Sequence, residues 1–167
     1  MPYEETLFLD TDTYICSNFL ELFTMLKDFD IAVAHAPNRI VYQVANVPKC
    51  FPEMNTGVIL FKHSQSMNIF FQEWLNIYNR DMNKETTPSH DQPAFREALY
   101  HSQLRVATLT PEYNCRFIMP GYVDKEVKIL HGRHTDLPAI AKKINSYKKL
   151  RIFLLNKLTK SLYLWWR

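Results

Sequence analysis

The apolar run Leu7-Phe8-Leu9 stops abruptly at two carboxylates, Asp10 and Asp12, separated by Thr11. A buried strand in an open α/β sheet delivers ligand-binding residues at its carboxyl end. A carboxylate pair there suits a hard divalent cation and a phosphate-bearing substrate. The plainer alternative is a strand-end turn in which one Asp caps the next helix. The spacing alone leaves both readings open.

The rest of the chain is compatible with a packed domain around such a strand. At 167 residues it is one domain by length, large enough for a real core. A hydrophobic content of 47% and a charged content of 22% are ordinary for a globular protein and exclude a disordered chain. Three glycines are few for a complete α/β enzyme, which needs several at loop turns. Cys16, Cys50 and Cys115 form no C-x-x-C pair and no zinc pattern, so they read as reduced and structural. Glu4 and Glu5 stand where a signal peptide has its basic region. No apolar run approaches the ~20 residues of a membrane span. The expected location is therefore the cytoplasm, with membrane contact only through the tail. From Leu137 onward there are eight Lys/Arg and no Asp/Glu, while the preceding 136 residues carry 12 positive and 17 negative side chains. A basic tail on an acidic body is expected to meet an anionic surface.

Strand and helix signals alternate, which predicts an α/β fold. Strands are expected at Leu7–Asp10, Ile31–Ala34, Gly57–Lys62, Val106–Leu109 and Val127–Leu130. Asn18 and Glu21 resemble a capping box for a helix with Phe19, Leu22, Phe23 and Leu26 on one face. Pro37 to Pro52 reads as irregular and Asn83–Ser89 as a polar loop. Ser64 or Ser66 can cap a helix whose Met67, Phe70, Phe71, Trp74, Leu75 and Tyr78 share one face. Asp91 can cap a helix with Pro93 in its first turn. Thr135 or Asp136 can open a last helix running to about Leu150.

Three further clusters carry chemistry. Asn55-Thr56-Gly57 precedes a buried strand. As a pattern it reads as a turn, or as an amide for a sugar hydroxyl beside a glycine that admits a substrate. His90-Asp91-Gln92 places a carboxylate and an amide at a helix start, where capping alone would explain the Asp. Ile129-Leu130-His131-Gly132-Arg133-His134 ends an apolar strand in a histidine, a candidate metal ligand. Arg133 there can pair with phosphate.

D-T-D after an apolar strand, N-T-G-V, D-Q opening a helix and a late L-H-G stand here in the order found in metal-dependent GT-A-fold glycosyltransferases. The chain resembles glycosyltransferase family 8 and related nucleotide-diphospho-sugar transferases, the group that includes glycogenin. The likeness runs from about Pro2 to Ile144 and takes in the L-T-P-E-Y-N-C-R stretch at 109–116. It implies a GT-A-like, Rossmann-like mixed sheet flanked by helices. It also implies a metal-dependent, retaining transfer of a hexose from a nucleotide-diphosphate sugar. Asp10, Asp12 and His131 would hold Mn²⁺ or Mg²⁺ on the donor diphosphate. Asp91 and Gln92 would lie at the anomeric carbon as the catalytic pair. Asn55, with Thr56 and Gly57, would contact the donor sugar. Gly132 would lie by the diphosphate, and Arg133 is added to it from its chemistry rather than from the motif. The acceptor, whether glycan, protein or lipid, stays open, and nucleic acid is not among the expected partners.

In such families a nucleotide-binding half precedes the D-x-D strand, but only six residues precede Leu7 here. An N-terminally truncated form of the fold is therefore expected, with an apolar sheet edge at the first strand. A partner chain supplying that half, or an inactive remnant acting as a carbohydrate-binding module, are the alternatives. A haloacid-dehalogenase-type phosphatase also begins with a strand and D-x-D. It would need Thr or Val at position 14, which is Tyr here, and a later Asp pair that is not visible. The catalytic domain is read as residues 1–150. Residues 151–167 read as a basic amphipathic segment, either lying on a membrane or packed on the body as a helix.

Overall fold

The computed structural model describes residues 3–38, 44–83, 90–156 and 158–166. Residues 39–43 of the expected irregular stretch, 84–89 of the expected polar loop, and Lys157 and Arg167 of the tail lie outside the described residues.

The chain runs through β1 (Glu5–Leu9), β2 (Thr13–Ile15), a 3-10 helix (Leu20–Lys27), β3 (Ile31–His35), β4 (Met54–Lys62), α1 (Gln65–Met82), α2 (Gln92–His101), β5 (Val106–Thr108), a short 3-10 turn (Pro111–Tyr113), β6 (Gly121–Val123), β7 (Ile129–His131), α3 (Leu137–Ile144), β8 (Arg151–Leu155) and β9 (Leu162–Trp166). The main sheet has the order β1-β4-β3-β5. β4 is antiparallel to both neighbours, and β3 and β5 are parallel. It is the mixed sheet flanked by helices that the sequence predicts. β1 forms one edge, and its Phe8 is about half exposed.

β4 is apolar without alternation because both its faces are covered. Ile59 and Phe61 face α1 and α2 and join Met67, Phe70, Ile77, Phe95 and Leu99. Val58 and Leu60 face the other way, onto Leu22 and Leu26 of the 3-10 helix and Ile129 of β7. Ser64 opens α1, its hydroxyl accepting from the Met67 amide at 3.0 Å. The buried stripe of α1 runs through Met67, Phe70 and Ile77 with Trp74 beside it, whereas Leu75 faces solvent.

Several local expectations are corrected. Asn55-Thr56-Gly57 is not a turn but part of β4, because the β3–β4 register shifts between Val33 and Ala34. Val33 pairs with Ile59 while Ala34 pairs with Asn55, so β4 bulges between these pairs. The Asn18–Glu21 capping box does not form. Asn18 Oδ1 accepts from the Leu20 amide at 2.9 Å, and Glu21 instead accepts from the Tyr113 hydroxyl. α3 ends at Ile144, six residues before the expected end, and its start is capped by Asp136. The tail is not a helix. β8 and β9 form an antiparallel hairpin with β6 on its other side, since residues 151–155 alternate buried and exposed at the period of a strand.

Arg151 fixes this hairpin to the body. Its side chain is fully buried, and it donates to the carbonyls of Ile144, Lys149 and Lys125 and to Asn145 Oδ1. Arg151→Leu removes the donors and leaves buried carbonyls unpaired. Urea denaturation of this variant is expected to show a loss of about 3 kcal/mol. A loss under about 1 kcal/mol would contradict this role.

Candidate active site

The turn after β1 sets the two carboxylates. The Asp10 carbonyl accepts from the Thr13 amide at 3.1 Å and from the Thr13 hydroxyl at 2.7 Å. This closes the chain over Thr11 and Asp12. The Asp10 amide is tied back to Gly57 O and the Asp12 carbonyl accepts from Gly132 N, both at 2.9 Å. β2 then pairs with β7, which puts Thr13 opposite His131. The three side chains meet as a result. Nε2 of His131 lies 3.5 Å from Asp10 Oδ2 and 3.4 Å from Asp12 Oδ1. One ligand atom from each residue lies within 4.8 Å of the others.

Two glycines make this meeting possible. A Cβ on Gly57 would stand 1.9 Å from Cε1 of His131, so the imidazole occupies the space a side chain there would need. Gly132 has φ of +142°, where other residues are strained, and a Cβ on it would stand 2.6 Å from Ile118. As a sequence pattern, Gly57 suggests a place for substrate to approach. Its cleared space holds the ring of His131.

The ring is oriented by a chain of side-chain amides. His131 Nδ1 meets Asn114 Oδ1 at 2.8 Å, and Asn114 Nδ2 donates to Asn55 Oδ1 at 2.8 Å. Asn55 Nδ2 donates to Gln92 Oε1 at 2.9 Å, and Gln92 Nε2 donates to Glu53 Oε1 at 2.8 Å. The Gly57 amide also donates to Asn55 Oδ1. Every link donates in the same direction, toward the buried Glu53. Asn114 Oδ1 can only accept, so His131 carries its proton on Nδ1 and turns a bare Nε2 toward the carboxylates.

The electrostatics agree. Burial, and then the nearby Arg116 guanidinium, push the His131 pKa down to about 4, against an opposing pull from Asp12. The ring is thus neutral, and its approach to the aspartates is not an ion pair. Burial, with Asp12 and Asp91 nearby, holds the Asp10 carboxyl above its ordinary value, with Arg116 opposing. A neutral imidazole nitrogen and two crowded carboxylates facing one another form a donor set that fits a divalent cation.

These residues open into a pocket of about 440 Å³, in the range of small-ligand sites. Asn55, Thr56, Asp91, Gln92, Arg116 and Arg133 line it together with the triad. Asp91 stands at the start of α2 but makes no side-chain cap, and its Oδ1 accepts from Thr56 at 3.2 Å instead. Gln92 is held at both ends by Asn55 and Glu53. Arg133 is exposed at the rim. Of the expected residues, Gly57 and Gly132 support the pocket from behind rather than line it.

Arg116, Asn114 and Glu53 are the residues sequence reasoning missed. Arg116, like Asn114, lies in the 109–116 stretch, whose pattern alone assigns it no role. Its Nε is buried, with no hydrogen-bond partner among the described residues. Burial draws its pKa below the usual arginine range, and Asp12 and Asp10 push back.

A family model of nucleotide-diphospho-sugar transferases matches residues 5–142. No curated protein matches the chain. Among solved structures, the glycosyltransferase GlyE of Streptococcus pneumoniae TIGR4 is similar, with a TM-score of 0.55 and 15% identity over 89% of this chain. At that identity the likeness is one of fold, a glycosyltransferase fold. The chain spans 40% of the length of GlyE.

NMR of the metal-free protein tests the arrangement of the ring. His131 is expected to stay neutral down to about pH 4, with its ¹⁵N shifts showing the proton on Nδ1. A midpoint near 6.5, or a proton on Nε2, would contradict it.

Proposed function

The chain belongs to the nucleotide-diphospho-sugar transferase family, and on that premise we propose that it carries the donor-cleaving site of a metal-dependent glycosyltransferase. The order of its motifs supports a reading nearest family 8, in which a hexose would be the transferred group and anomeric configuration would be retained. The observation that carries the reading is the convergence of Asp10, Asp12 and His131 in one pocket with Asp91, Gln92 and Arg116.

Asp10, Asp12 and His131 would hold Mn²⁺ or Mg²⁺. The bound cation supplies positive charge that stabilises the nucleoside diphosphate as the glycosidic bond breaks. Arg116 would present its guanidinium to the same diphosphate oxygens, which explains a buried cation with a free Nε beside two aspartates. Arg133 would meet the diphosphate from the rim. Asp91, oriented by Thr56, would accept from a sugar hydroxyl. Gln92 has one N–H and one lone pair left after its two hydrogen bonds, and these would fix the sugar near the reacting carbon. Asn55 would act mainly by holding Asn114 and Gln92 in place. The acceptor would be a molecule with a free hydroxyl.

The test is release of nucleoside diphosphate from a panel of nucleotide sugars with Mn²⁺ or Mg²⁺. Asp12→Asn is expected to lower release at least about 100-fold with unchanged circular dichroism. Arg116→Met is expected to raise the KM for donor about tenfold. Full release by Asp12→Asn, or release that is indifferent to chelation of the metal, would sink the assignment.

A further inference from the structure

The three-stranded sheet β6-β8-β9 departs from the usual pattern of an antiparallel sheet, in which one face is apolar and the other polar. Its inner face is apolar as expected: Val123, Phe153, Leu155 and Leu162 pack with Ile140, Ala141 and Ile144 of α3. Its outer face is apolar too. Tyr122, Ile152, Leu154, Tyr163 and Trp165 are each between 40% and 61% exposed. The register makes them neighbours. Tyr122 pairs with Ile152, Ile152 with Trp165, and Leu154 with Tyr163. The Tyr163 and Trp165 rings stack with centroids 6.3 Å apart. Leu158, in the β8–β9 turn, is 93% exposed. Contiguous apolar patches of this kind mark binding surfaces.

The charge around the patch selects the occupant. Exposed Lys148 and Lys149 precede β8, and exposed Lys160 lies in the β8–β9 turn. No Asp or Glu occurs from Leu137 to the end of the chain. Glu126 is engaged by Lys148 and Lys128, and Asp124 by Lys125. The patch is thus aromatic and aliphatic, with cations at both ends of its strands. Tyrosine and tryptophan rings settle at the boundary between lipid headgroups and acyl chains, and lysines are drawn to anionic headgroups. A second copy is the poorer partner, because face-to-face pairing would bring two lysine-rimmed surfaces together.

We propose that the outer face of the β6-β8-β9 sheet docks on an anionic membrane surface, with Tyr122, Ile152, Leu154, Tyr163 and Trp165 at the headgroup boundary. This surface differs from the interfacial helix that the tail's composition suggests, because it is assembled across three strands. It does not depend on the transferase reading, since none of these residues lines the pocket of the aspartates.

Co-flotation of the 167-residue chain with vesicles tests it, phosphatidylcholine alone being compared with phosphatidylcholine plus phosphatidylglycerol at low salt. The chain is expected to float with the anionic vesicles and not with the neutral ones, and to be released by high salt. Ile152→Ser with Trp165→Ser should lower binding about tenfold while circular dichroism stays unchanged, because both side chains lie outside the core. Lys149→Gln with Lys160→Gln should lower it by a similar factor. Absence of flotation at low salt would overturn the proposal, as would flotation undiminished by the apolar pair. Light scattering that shows a dimer dissolved by the apolar pair, with no vesicle binding, would assign the face to a second copy instead.

Discussion

The imidazole of His131 stands in the space that a side chain at position 57 would fill, and the site is built around that contact. β4 can carry a glycine at its centre because it bulges there, where its register with β3 shifts. The ring then bridges two sheets: β7, which carries it, and β4, against which it lies. Asp10 and Asp12 reach the same point because their turn is stitched to both, through Gly57 O on one side and Gly132 N on the other. A larger residue at position 57 would disturb the ring, the turn and the pocket together.

A line of amides extends the same constraint across the pocket. Glu53, Gln92, Asn55 and Asn114 are joined head to tail and end on His131. Each amide settles the direction of the next, so a buried carboxylate at one end determines which imidazole nitrogen is bare at the other. The catalytic candidate Gln92 belongs to this line. The side-chain amide of Gln92 and the imidazole of His131 are thus oriented by one network.

Much of the fold is legible in the sequence because it rests on local pattern. The unbroken apolar run Val58–Phe61 signals a strand covered on both faces, and Met67, Phe70 and Trp74 signal the stripe of α1. The D-T-D at the end of β1 marks the turn whose two carboxylates meet His131. Other features depend on pairing between distant segments. Asn55-Thr56-Gly57 looks like a turn until β3 imposes the bulge. Asp91 looks like a cap until Thr56, from β4, donates to its carboxylate. Glu53, Asn114 and Arg116 acquire roles only through partners or neighbours far away in sequence, and the 109–116 stretch that holds Asn114 and Arg116 does not by itself announce what they touch. In the tail the strand period of two shows in burial and not in polarity, since Arg151 is buried while Ile152 and Leu154 are exposed, so it becomes plain only once β6 and β9 pair with β8.

The proposed reading rests on three side chains whose donor atoms converge within 4.8 Å. The most direct test of this account is crystallographic: manganese-soaked crystals, with diffraction data collected at an energy where manganese scatters anomalously. The account predicts an anomalous peak between Asp10, Asp12 and Nε2 of His131, lost in crystals of Asp12→Asn. No peak at saturating manganese, or a peak that leaves His131 uncoordinated, would contradict it.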